Sequence, residues 1–160
     1  MLERIVAEGR MDIYHNYSQM VAISSGYYYF GGYDMSVKEI TVLMVEPGKH
    51  PKVTTLKDDL DSLQKAVSIG ADYQGLIEFV GLGNGDCIMC NEEGKLIGLE
   101  GNRRLGNDIL VGVFYIMSEN DEGELQSLTE QKIKRYTELF WEPETFGRAE
   151  IEDTLSCHFV

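Results

Sequence analysis

The sequence predicts an α+β fold: a small, mainly antiparallel sheet with two helices packed on one face. Three observations carry that expectation. Short apolar runs bounded by glycine, proline and asparagine turns recur between residues 38 and 117. One segment, about 55–68, repeats leucine and valine at helical spacing. A second helical segment follows Ser127, so the order over about residues 36–141 is strand, helix, several strands, helix.

Residues 38–46 (KEITVLMVE) form a β-branched apolar run closed by Pro47-Gly48, as in a central strand. Thr54 or Thr55 then offers an N-cap, and Leu56, Leu60, Leu63 and Val67 share one helical face, with Gly70 near the end. Residues 76–82 and 86–91 read as two strands around Gly83-Asn84-Gly85, a hairpin signal. After a turn at Asn91–Gly94, Lys95–Leu99 reads as a short strand and Glu100–Asn107 as a polar loop. Ile109–Met117 is another apolar strand, and Ser118–Gly123 turns the chain. Ser127-Leu128-Thr129-Glu130 fits a capping box before a helix lined by Ile133, Tyr136 and Phe140.

Two segments flank this core, taken as residues 35–141. Residues 142–160 lack a clear period, but Trp141, Phe146, Leu155 and Phe159 together favour a docked tail. Residues 1–34 form an N-terminal extension. Leu2, Ile5, Val6, Ile13, Tyr17, Met20 and Val21 outline a loosely amphipathic helix, broken at Ser24-Ser25-Gly26 before the aromatic run Tyr27–Phe30. Gly31-Gly32 can also be encoded by a string resembling a bacterial ribosome-binding site, suitably spaced for initiation at Met35. On that reading residues 1–34 are a translated leader.

Composition bounds the function. Hydrophobic content of 43% and charged content of 26% argue against disorder, a collagen-like chain or a disulfide scaffold. The net charge of −13 argues against nonspecific binding to nucleic acid or anionic membrane through a basic surface. Residues 71–128 carry 11 acidic and 3 basic side chains, more than half of the excess. Spaced carboxylates there serve either to imitate phosphates or to keep the protein soluble. Three cysteines, an odd count, do not suit a fully paired secreted framework. No signal peptide or spanning segment is evident, and a cytoplasmic location with reduced thiols is the plain expectation.

The stretch from Cys90 to Arg104, with Asp108–Gly112, Gly123–Thr129 and the opening Ile40–Gly48 strand, resembles the domain of unknown function 3846. The resemblance covers about residues 36–140. It implies a protein of phages, plasmids and conjugative elements of Gram-positive bacteria and their hosts, with no assigned activity. Neighbouring antirestriction genes suggest counter-defence.

Candidate chemistry is sparse. Cys87-Ile-Met-Cys90 has CxxC spacing, but in a strand its two thiols face opposite ways, which favours buried structural cysteines. His15, His50 and His158 lack metal-ligand spacing, so no metal and no cofactor is expected. Gly81–Asp86 reads as a turn, not a phosphate cradle. Asp86, Glu92, Glu93 and Asp108 read as solvated turn carboxylates. The best ligand-binding candidates are Asn102, Arg103 and Arg104, because adjacent arginines in an acidic segment offer planar forks to phosphate or carboxylate. Asn91 and Lys95 sit in the neighbouring turn. The competing reading has these arginines pairing with Glu92, Glu93, Glu100 or Asp108 to hold the loop.

The leading expectation is a non-enzymatic accessory protein of a mobile element or its host, acting by binding a host protein through its acidic surface. The alternative is a module that binds a small nucleotide-like anion at the Asn102-Arg103 loop.

Overall fold

The computed structural model describes residues 20–23, 26–29 and 37–156. The chain divides into two units, Met1–Ser36 and Val37–Val160. In the first, β1 (Met20–Ile23) pairs antiparallel with β2 (Gly26–Tyr29), with Met20 opposite Tyr29. Met20 and Val21, expected to end a helix, therefore belong to a strand; β-branched and aromatic side chains favour that backbone. The rest of the expected helix, Met35, and Cys157-His158 with Phe159 lie outside the described residues.

In the second unit β3 (Glu39–Val45) and β4 (Lys52–Lys57) form a hairpin, followed by α1 (Leu60–Val67). The helix expected from about 55 thus begins later. Val53, Thr54 and Thr55 prefer an extended backbone and pair with β3, and Asp59 supplies the N-cap by accepting the Ser62 N–H at 2.8 Å. β5 (Ile77–Gly83) and β6 (Asp86–Asn91) pair around a turn in which Gly83, Asn84 and Gly85 all have positive φ.

The next region differs most from expectation. Where a strand is expected over Lys95–Leu99, residues 92–98 are a run of turns, and Gly98 at φ +77° is incompatible with an extended strand there. The expected loop holds β7 (Gly101–Leu105), which pairs with β8 (Asp108–Val111) across Gly106-Asn107. The single strand expected over Ile109–Met117 is two, because Gly112 at φ +66° turns the chain out of the β7–β8 pair before β9 (Phe114–Glu119) enters the main sheet. The short β10 (Leu125–Gln126), α2 (Glu130–Leu139) and α3 (Arg148–Ser156) complete the unit. Thr129, not Ser127, caps α2 through the Lys132 N–H; the Ser127 hydroxyl accepts the Thr41 N–H instead.

The main sheet runs β4-β3-β9-β6-β5, with β10 on β9, and every pairing is antiparallel. Strand alternation divides its core in two. One face presents Ile40, Val42, Met44, Cys87, Met89, Tyr115 and Met117 to Leu63, Ala66 and Val67 of α1. The other presents Leu43, Val45, Ile88, Cys90, Phe114 and Ile116 to Leu128, Tyr136 and Phe140, and to Leu110 of β8. The two helices expected on one face therefore sit on opposite faces. The physical reason is that β3, β6 and β9 are apolar on both sides and need cover on both. A third cluster joins Leu99, Ile109 and Val111 to Phe146 and Ile151, which packs the segment around α3 onto β8.

Candidate functional site

The five residues expected to converge on an anion are divided among three environments. Asn102 and Arg103 are buried, with Arg103 only 2% exposed. The Asn102 amide donates to the carbonyls of Val45 (2.9 Å) and Gly112 (2.7 Å). The Arg103 guanidinium donates to Phe140 O (3.0 Å), Lys49 O (2.7 Å), and both Asn102 O and Oδ1. Its partners are carbonyls, not the carboxylates of Glu92, Glu93, Glu100 or Asp108. Burial lowers its pKa, opposed by Glu144 and Glu142 nearby. Because Phe140 is the C-cap of α2, the cation also sits at the negative end of that helix.

Arg104 is exposed and pairs with Glu150 of α3 at 2.5 Å, while its backbone N–H donates to Glu144. Asn91 is buried: it donates to Val67 O and accepts the Glu93 N–H, tying the end of β6 to α1. Lys95 pairs with Asp108.

Asn91 and Lys95 do line a groove of about 250 Å³, but Asn102 and the two arginines do not. The groove lies between β5–β6, represented by Glu78, Val80 and Cys90, and β8, represented by Asp108–Val111. Glu92, Leu96 and Leu155 complete it. Three carboxylates thus face one lysine, which Asp108 already neutralises, so the groove suits a cation with an apolar stem better than an anion. The Cys90 thiol lies 4.0 Å from Glu78, and burial beside that carboxylate pushes its pKa up to about 12. It is a protonated wall of the groove, not a nucleophile. Cys87 occupies the opposite face and is pushed up to about 11 by burial.

One polar cluster was hidden from the sequence. Asp86, expected as a solvated turn carboxylate, is buried and accepts from Lys132 Nζ (2.6 Å), Tyr136 Oη (2.6 Å) and Ser118 Oγ (2.8 Å). Burial works against its charge, yet these three donors together hold its pKa below the usual carboxylate value. Tyr136 is pushed up to about 12 by burial and by that carboxylate. All donors point at one acceptor, an arrangement that anchors α2 to β6 and β9 and leaves no free base. The available signal was Tyr136 on the core face of α2, since a buried phenol needs an acceptor.

Among the described residues no group of three His, Cys, Asp or Glu side chains is placed to share a metal ion. No described helix is long and apolar enough to cross a membrane. No curated protein and no solved structure shows a significant match to the chain. A family model does match, over residues 40–141, which include the sheet, the β7–β8 hairpin and α2. By that match the chain belongs to the family described as Domain of unknown function (DUF3846).

Proposed function

We propose that this is a non-enzymatic accessory protein of a mobile genetic element or its host, acting in the cytoplasm by binding a basic protein partner. The observation that carries the reading is the fate of the charges between residues 71 and 128. All three cations there are engaged: Lys95 by Asp108, Arg103 by carbonyls, Arg104 by Glu150. Of the eleven carboxylates only Asp86 and Asp108 have a cationic partner among the described residues. Glu119, Asp121, Glu122 and Glu124 are exposed together around one turn, which Asn120 organises by accepting the N–H groups of Glu122 and Glu124. Such a surface attracts a basic partner and repels nucleic acid. The mobile-element setting and a counter-defence role are the expectations attached to the family resemblance.

Capture of basic proteins from host lysate, repeated across a salt series, tests the proposal. Retention of one defined partner at about 0.15 M salt, where surface charges are substantially screened, supports it. Loss of that partner when Asp121, Glu122 and Glu124 are changed to Asn or Gln supports it further. A co-purifying small anion in native mass spectra, with no protein retained, overturns it.

A further inference from the structure

We propose that the outer edge of β5, with the groove beside it, takes an extended basic segment of the partner as an added antiparallel strand; this rests on the basic-partner reading above. β5 is the outermost strand on its side of the sheet. The Glu92 N–H donates to Leu76 O, and Glu78 and Val80 lie opposite Cys90 and Ile88 in the same register. Hydrogen-bonded pairs alternate along an antiparallel ladder. The N–H and C=O groups of Ile77, Phe79 and Gly81 therefore point outward. Among the described residues no hydrogen bond outside the β5–β6 ladder engages them.

The sheet treats its two edges differently. β4 carries Lys52 and Lys57, charges that discourage another strand from pairing. β5 has no lysine and one charge, Glu78. Phe79 is 48% exposed, and a Cβ built on Gly81 meets nothing within 4 Å, so the backbone is open to approach.

Side-chain chemistry selects the occupant. A residue opposite Glu78 projects to the groove side, where Glu78 and Glu92 have no cationic partner among the described residues. Lys or Arg fits there, its stem on Val80. The next residue projects to the other face beside exposed Phe79 and is apolar. The recognised segment is therefore extended, with basic and apolar residues alternating. Backbone bonds supply pairing and the groove supplies selection.

The test is fluorescence anisotropy on the full chain, with a labelled peptide of about nine residues alternating Lys and Val. Saturable binding is expected. N-methylation of the alternate amides that face β5 should weaken it about tenfold or more, as should Glu78→Lys with Glu92→Lys. A Lys57→Glu change at the opposite edge should leave it within about twofold. Gly81→Pro, checked for folding by circular dichroism, should weaken binding by removing one edge donor. If the native, N-methylated and block-ordered peptides bind alike with the same salt dependence, the basic-partner reading stands and the added strand falls. If no peptide binds even at low salt, both fall. A dimer that Gly81→Pro converts to monomer assigns the edge to a second copy and overturns the proposal, as does tight peptide binding seen only after residues 157–160 are removed.

Discussion

The Nε–H of Arg103 donates to the carbonyl oxygen of Phe140 at 3.0 Å, linking the β7–β8 hairpin to the C-terminal end of α2. The same guanidinium reaches Lys49 O in the turn between β3 and β4. One side chain therefore fixes three segments that are distant in sequence. Replacing it with Met leaves buried carbonyls without donors and should cost about 3 kcal/mol. Arg103→Lys should recover only part of that, since a single ammonium cannot span the fork. Arg104→Met removes an exposed ion pair and should change stability little. Urea unfolding of the three variants checks the ranking.

Asp86 makes stability depend on acid. Its folded pKa lies below the unfolded carboxylate value of about 4, so its contribution is present above pH 4 and is lost as pH falls through the folded value. The wild-type protein should lose stability over that window, and Asp86→Asn should show a flatter acid limb. At neutral pH the variant should be about 2 kcal/mol less stable, a figure discounted because the Lys132 side chain is 31% exposed. Urea titrations at several pH values read both effects.

The two strand cysteines should resist alkylation. Their thiols are raised to about 11 at Cys87 and about 12 at Cys90, so little thiolate exists in the folded state near pH 8. Stability should also decline as pH rises above the unfolded thiol value of about 8.5, because unfolding then releases protons. Peptide-level mass spectrometry after iodoacetamide treatment, with and without urea, measures the protection. Rapid native labelling at Cys90 would contradict the groove geometry.

The position of the first helix start is open to a direct check. Asp59 accepts from both the backbone N–H and the hydroxyl of Ser62. Asp59→Ala should therefore destabilise by about 1 kcal/mol. Thr54→Ala should act through the sheet, with its effect on the β3–β4 pair visible as faster amide exchange there and not in α1.

Legibility followed the range of the forces involved. The apolar runs of β3 and β6 and the Gly83-Asn84-Gly85 turn are local patterns that fold where the sequence predicts them, whereas the single strand expected over Ile109–Met117 divides into β8 and β9 at Gly112. β4 was obscured because Leu56 continues the helical spacing of Leu60 and Leu63, although its neighbours are β-branched. The polar Asn102 and Arg103 predict a loop where β7 forms, yet both side chains are buried. Their acceptors Val45, Phe140 and Lys49 lie 37 to 57 residues away, beyond any local pattern. The groove was invisible for the same reason: it joins β5–β6 to β8 and Leu155. Asn91 and Lys95 were found near it by their turn, not by any signature of the groove itself.

Strand order also sets a timetable for synthesis. β9 lies between β3 and β6, although its residues follow both hairpins in the chain. As the polypeptide leaves the ribosome, β3–β4 and β5–β6 can each close locally, but they remain separate ribbons with an unpaired edge on the side that β9 will fill. Nascent chains ending before residue 113 should therefore be protease-sensitive and bind chaperones. Chains extended through α2 should not. The strand that joins the two hairpins into one layer is made only after both of them.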